Sequence, residues 1–296
     1  MKYIPKIFYI FINLFFITII FYYIINKNIL QSNIIETTKT WLYYVLPSIS
    51  ISYICSMFLI HYPFISRLIF PILSPVFHFE NSKSCSIFLI SIIVGNPTAI
   101  TLITTAQENN EISLHEANRL ISFTNFISSI FIFSMFSINI SIFILVIELL
   151  SSTLIANQTT KQNSKCNLES NQKSILDIYF NIINTLPNLL LSILCSMIFC
   201  TIISFIIKFE HLKVFLEITN GIMFINTMND SFIKFLLLII LIASNGLAII
   251  LQSYFIIKKS NLSFSKFIKY HFISVLISMT SLILIYFIYT FLSTLH

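Results

Sequence analysis

Val94-Gly95-Asn96-Pro97-Thr98 lies in the middle of the apolar run Cys85–Ala106, and Ser244-Asn245-Gly246-Leu247 interrupts a second apolar run in the same way. The chain has only 3 glycines, where average usage gives roughly 20 for this length. The third, Gly221, closes the stretch Glu217-Ile218-Thr219-Asn220-Gly221. Glycine is thus withheld except where an amide-rich break cuts an apolar segment. Glycine adopts backbone angles closed to other residues, and a break inside a bilayer frees N–H and C=O groups that lipid cannot satisfy. Such breaks belong where the backbone lines a polar cavity, as in transporters built from discontinuous helices.

The surrounding composition sets the class. Hydrophobic residues make up 57% of the 296, charged residues 9%, and the mean hydropathy is +0.91. Several runs reach the ~20 apolar residues that cross hydrocarbon. The expectation is an all-α polytopic membrane protein with about seven spans, two discontinuous or re-entrant helices and two inverted repeats. The net charge of +6 comes from loop lysines, which signal topology to anionic lipid rather than nucleic-acid binding. None of the 5 cysteines forms a C-x-x-C pair, so neither a disulfide framework nor a metal site is expected. No nucleophile–His–acid set, phosphate loop or paired-carboxylate site is legible, so the expectation is a non-enzyme without cofactor.

Four regions follow from the pattern. Residues 1–40 hold a first span, Ile7–Ile25, and a polar stretch. Residues 41–156 form a first repeat: a span from Trp41 to Ile60, proline-bearing interfacial pieces with Pro63, Pro71 and Pro75, the broken run 85–106, and a span reaching about Leu150. Ser113 and Glu116 have the spacing of a capping box and mark a helix start. Residues 157–174 are a polar linker. Residues 175–296 form a second repeat that ends in a span from His271 to Leu292. Leu46-Pro47 precedes Cys55-Ser56-Met57 by the same interval as Leu186-Pro187 precedes Cys195-Ser196-Met197. Asn96-Pro97-Thr98-Ala99-Ile100 then pairs with Asn245-Gly246-Leu247-Ala248-Ile249.

Loop charge predicts which loops share a side. Lys161, Lys165 and Lys173, with Lys258, Lys259, Lys266 and Lys269, read as cytoplasmic. The loop holding Glu108, Glu111 and Glu116 is expected on the other side if 85–106 crosses the membrane. If that run is a hairpin, this assignment fails.

Gly95-Asn96-Pro97, Glu116–Asn125 (EANRLISFTN), Glu217–Gly221 (EITNG) and Asn245–Gln252 (NGLAIILQ) occur in that order. Together they resemble the sporulation integral membrane proteins of the YlbJ (SpoVV) type, in the nucleoside-recognition or Gate-domain family. The likeness runs from about Trp41 to the C-terminus, with the linker as an insert. It implies a carrier in endospore formation that moves dipicolinate, a small anionic aromatic solute, across the outer forespore membrane. The wider fold class is similar to concentrative nucleoside transporters. The chain departs from the family pattern at Ala99 and Thr101, which stand at the places of a Gly and a Lys. It departs again at Phe126-Ile127-Ser128-Ser129, where small polar residues and a proline are usual, and at Asn245, where a glycine is common.

A rigid dianion in hydrocarbon requires compensating donors. No Lys or Arg falls in mid-span, so the half-helix N-termini near Thr98 and Leu247 are the expected anion donors. The candidate substrate-binding residues are Gly95, Asn96, Pro97, Thr98, Asn125, Glu217, Asn220, Ser244, Asn245, Gly246 and Gln252. Glu217 reads either as the acceptor of a coupling proton or cation, or as a helix cap. Arg119 reads as an attractor for the incoming anion or as a headgroup anchor. Glu148 and the scattered histidines read as interfacial. A nucleoside or other small solute, or a membrane scaffold without cargo, are the alternatives.

Overall fold

The computed structural model describes residues 6–62, 64–159, 174–206, 214–229 and 231–294. Pro63, Lys161, Lys165, Cys166, Lys173 and His211 lie outside the described residues. Among the described residues the secondary structure is helical and contains no strand. The first half comprises α1 (Lys6–Ile25), α2 (Lys27–Thr40), a π turn at Trp41–Val45, α3 (Leu46–His61), α4 (Phe64–Phe77), α5 (Ser82–Val94), α6 (Thr98–Glu108), α7 (Leu114–Phe123), α8 (Ser129–Met135) and α9 (Ile138–Gln158). The second comprises α10 (Ile175–Ile206), α11 (Ile218–Asn226), α12 (Phe232–Ser244), α13 (Gly246–Lys259) and α14 (Phe264–Thr294).

Five segments are long and apolar enough to cross a membrane: Lys27–His61, Ile138–Gln158, Ile175–Ile206, Phe232–Lys259 and Phe264–Ile288. The 20-residue α1 and the interrupted path α7–α8 are further candidates for crossing, and the single span expected up to about Leu150 is divided between α8 and α9. Many large apolar side chains on these helices are exposed, as lipid-facing surfaces require. The polar stretch 26–40 is helical and continues directly into α3, because it holds no glycine or proline to stop it.

The run 85–106 is a re-entrant hairpin. At 13 and 11 residues, α5 and α6 extend only about 20 and 16 Å, short of the ~30 Å hydrocarbon core. Both outer ends sit together: Lys83 pairs with Glu111 at 2.9 Å, and Asn81 Nδ2 donates to the Glu111 carbonyl at 3.3 Å. The end of α3 joins them through His61 and Glu111, 3.4 Å apart. Asn81 caps α5 by accepting the Ser84 N–H, and Ser113 caps α7 by accepting the Glu116 N–H, as the capping-box spacing requires. We call this the charged end of the bundle.

The hairpin corrects the side assigned to the acidic loop. Ser263 N–H donates to Asn118 Oδ1 at 2.8 Å, so the loop following Lys258 and Lys259 meets the start of α7. The acidic loop 108–116 and the basic segment 258–269 therefore share the charged end. A hairpin returns the chain to the side it left, whereas the charge rule had counted it as a crossing. Cysteines introduced at Asn109 and at Ser260 in a cysteine-free background are accordingly expected to label from the same side with a membrane-impermeant maleimide. Labelling from opposite sides would refute the traced topology.

Antiparallel contacts fix the direction of the other helices. Phe123 lies beside Ser152, Ile127 beside Glu148 and Ile132 beside Ser141. The path α7–α8 thus runs away from the charged end and α9 returns to it. Tyr53 meets Thr185 and Thr37 meets Thr201, so α10 runs opposite to α2–α3. Ser244 lies beside His271, and Phe232 stacks on Tyr286 at 4.3 Å. The path α12–α13 therefore approaches the charged end and α14 leaves it. Three crossings of the first half, α2–α3, α7–α8 and α9, thus run opposite to α10, α12–α13 and α14 of the second, respectively.

The two halves pair differently from the sequence match. Asn96 stands at a hairpin tip, whereas Asn245 interrupts a crossing path. The stretch 214–226 packs beside the second break, with Phe215 and Leu216 carbonyls accepting from Leu247 and Ala248 N–H at 2.9 and 3.0 Å. Five phenylalanines pack the first hairpin against α7: Phe77, Phe79, Phe88, Phe123 and Phe126, with Phe77 and Phe88 ring centres 4.3 Å apart.

Candidate functional site

The hairpin tip reaches the segment 124–128 through its backbone. Asn96 N–H donates to the Phe126 carbonyl at 2.9 Å, and the Ser128 hydroxyl donates to the Ile93 carbonyl at 2.9 Å. Ser129 makes a further bond to the Ile92 carbonyl. Gly95, at φ 65° and ψ −176°, lies against this segment so closely that a Cβ would stand 2.2 Å from Ser128 N. The peptide Asn96–Pro97 is cis, and α6 begins at Thr98. On the other side, Asn245 takes a left-handed conformation at φ 56° and ends α12.

These interruptions meet at Asn125. Its Oδ1 accepts from Asn96 Nδ2 at 2.8 Å and from Asn245 Nδ2 at 3.0 Å. Its Nδ2 faces His271 Nδ1, and His271 Nε2 lies 2.9 Å from the Ser244 carbonyl. A carbonyl only accepts, so Nε2 carries the proton and Nδ1 accepts from Asn125 in the neutral ring. The direction of every bond is then consistent. The centre is closed off from solvent: Asn96, Asn125, Asn245 and His271 are 8%, 7%, 1% and 6% exposed. Two acceptors in it, Asn96 Oδ1 and Asn245 Oδ1, have no partner.

Of the sequence candidates, Gly95, Asn96, Pro97, Asn125, Ser244, Asn245 and Gly246 are brought together here. Ser244 takes part through its carbonyl, since its hydroxyl donates to Leu241 O. Thr98 is buried at the start of α6. Gln252 is buried elsewhere and donates to Ser196 Oγ at 2.8 Å, tying α13 to α10. Glu217 accepts the Thr219 N–H at 3.0 Å at the start of α11, which is the capping alternative. Asn220 lies in α11, and its side chain lies outside the described residues.

Three expectations are corrected. The N–H groups of Leu247 and Ala248, expected as anion donors, are spent on Phe215 and Leu216. Arg119 neither snorkels nor stands free. It is 4% exposed, forks onto Glu116 at 2.8 and 3.3 Å, and donates to the carbonyls of Phe77 and His78 at 2.8 Å each. It closes the turn after α4 with four of its five N–H groups, and its charge is paired with Glu116. Glu148 is 4% exposed, in the middle of α9 rather than at a span end, because that helix runs on to Gln158.

His271 escaped the sequence reading because α14 begins seven residues earlier than the apolar run suggests, at Phe264. The available signal was the polar stripe His271, Ser274 and Ser278, one face of a helix by spacing. Glu148, Ser151 and Ser152 form the matching stripe on α9. Ser151 Oγ and Ser274 Oγ meet at 3.2 Å, and Ser152 Oγ donates to the Phe123 carbonyl at 2.7 Å.

At the charged end a polar recess of about 130 Å³ opens between α7, the end of α9 and the start of α14. His115, Asn118, Arg119, Ser122, Lys266 and Tyr270 line it. Ser122 precedes Asn125 by three residues and Tyr270 adjoins His271, so the recess lies on the charged-end side of the centre. Comparison with protein-family models, curated proteins and solved structures finds no match to this chain. Its assignment rests on the geometry. The chain is an all-α integral membrane protein with two interrupted crossing paths that meet at a buried polar centre.

Proposed function

We propose that this protein is a carrier for a small anionic solute and works by alternating access around Asn125. The observation that carries the reading is the pair of bonds from Asn96 and Asn245 to one oxygen of Asn125. They join interruptions from the two halves, so any rocking of one half against the other passes through that centre. Interrupted helices at a repeat interface are where carriers place their cargo. The recess, lined by Lys266, suits an arriving anion, and the amide groups of the centre exchange bonds with each other for bonds with cargo. The resemblance to the YlbJ-type sporulation proteins supplies the finer reading. The cargo is dipicolinate, and the membrane is the outer forespore membrane of a sporulating bacterium.

Purified protein in proteoliposomes tests it. Labelled dipicolinate is expected to enter saturably, and Asn96→Leu and Asn245→Leu are expected to lose that uptake while still folding. Absence of saturable uptake by the wild type under every driving gradient overturns the carrier reading in favour of a membrane scaffold. Uptake of nucleosides in preference to dipicolinate overturns only the cargo.

A further inference from the structure

We propose that Glu148 is a proton-binding site of this protein, holding a proton on Oε2 in the closed state described here and releasing it when the segment 124–128 moves. Glu148 Oε1 accepts the Ile127 N–H at 3.2 Å, and Oε2, buried, has no partner. A carboxylate with a single neutral donor inside a helix bundle carries a desolvation cost that nothing here offsets. Protonation removes that charge and leaves the Ile127 bond intact.

The groups on every neighbouring helix bear this out. Against α9 pack α4, α7, α8 and α14. Among the described side chains their titratable residues are Arg67 on α4, His115, Glu116 and Arg119 on α7, and Lys266, Lys269, Tyr270, His271 and Tyr286 on α14; α8 has none. Arg119 is committed to Glu116, and His271 to Asn125 and Ser244. Among the described residues no cation pairs with Glu148.

The register also brings a second unpartnered polar group to the level of Glu148. From the Ser151–Ser274 contact, Glu148 lies one turn along α9 and Ser278 one turn along α14, and the helices are antiparallel. Both therefore stand at the same level. Ser278 Oγ is likewise buried, 1% exposed, and without a partner. The unpartnered carboxyl oxygen and the unpartnered hydroxyl belong to one layer, next to the polar line Ser274–His271–Asn125. Ile127 is two residues from Asn125, so a shift of the centre breaks the one hydrogen bond that the Glu148 side chain makes among the described residues and admits water to it.

The proton site stands without the carrier reading; its use in coupling rests on that reading, and the two are tested separately. Infrared difference spectra of the reconstituted protein, with no solute present, are expected to show a buried carboxylic C=O band at neutral pH that disappears in Glu148→Gln. Glutamine keeps the acceptor for Ile127 N–H, so the variant is expected to fold. If it does not, Glu148→Asp serves instead, which keeps a carboxyl in another position, and the band must shift in frequency. A band that survives Glu148→Gln, stays unmoved in Glu148→Asp, or is missing from the wild type overturns the proton site. In uptake assays, a pH step across the membrane is expected to drive the wild type and to lose that effect in Glu148→Gln, while solute exchange without a gradient persists. Equal pH dependence in both proteins overturns the coupling role.

Discussion

Replacing Gly95 with alanine is expected to prevent the hairpin from closing on the segment 124–128. The added Cβ would stand 2.2 Å from Ser128 N, 2.7 Å from the Ile127 carbonyl carbon and 2.9 Å from Ser128 Cα. All are backbone atoms, so no side-chain rotation relieves the overlap. The conformation at φ 65° and ψ −176° is one that only glycine adopts readily. Opening the gap would also break the bonds from Asn96 N–H to Phe126 O and from Ser128 to Ile93 O. The combined cost exceeds about 4 kcal/mol, the range reserved for backbone strain and core overpacking. Gly246→Ala is the control. It shares a positive φ of 67°, but its nearest neighbour is 3.4 Å away, so its cost is mainly strain of about 1–2 kcal/mol. Thermal denaturation in detergent, followed by size-exclusion fluorescence, is expected to show loss of the monodisperse Gly95→Ala peak and a modest shift for Gly246→Ala. Equal behaviour of the two would mean that the tip does not pack as described.

The next largest effect is expected from Asn125→Leu. Leucine removes one oxygen that serves two donors and one amide that serves His271. Asn96 Nδ2, Asn245 Nδ2 and His271 Nδ1 would then be buried without partners, each at about 1–3 kcal/mol. The loss is smaller if the groups find one another, as polar side chains in membranes do. The expected outcome is therefore a protein that folds with a lowered melting temperature and has no solute uptake. Asn125→Asp separates the roles. It keeps the accepting oxygens and removes the donor to His271, so it should recover stability more than transport. Full uptake by Asn125→Leu would remove the centre from the mechanism.

Much of this architecture was legible in the chain. Scarce glycine at amide-rich breaks located Gly95 and Gly246, and the Ser113–Glu116 spacing located the start of α7. Asn96, Asn125 and Asn245 were readable as candidates because amides are rare company for Ile and Phe in mid-span. What failed had physical causes. The run 85–106 could be read as a span or as a hairpin turning at Gly95–Pro97, and the pairing of Asn81 and Lys83 with Glu111, distant in sequence, decides for the hairpin. Once the hairpin is placed, the loop-charge argument loses its sign. His271 and Glu148 were set at span ends because hydropathy marks where apolar residues stop, whereas helices extend past that point until a cap ends them. Asn96-Pro97 and Asn245-Gly246 are alike in sequence because both serve as breaks, one at a tip and one in a crossing path.

The central claim is that interruptions from two oppositely directed halves meet at one buried centre that cargo must separate. Cross-linking of Asn96→Cys with Asn245→Cys, in a cysteine-free protein in lipid, tests it most directly. Both side chains reach the same Asn125 oxygen within 3.0 Å, so a short bifunctional thiol reagent is expected to join them rapidly. Dipicolinate at saturating concentration is expected to slow the reaction. If no link forms with or without solute, while each single cysteine remains reactive, the two interruptions do not meet and the account is wrong.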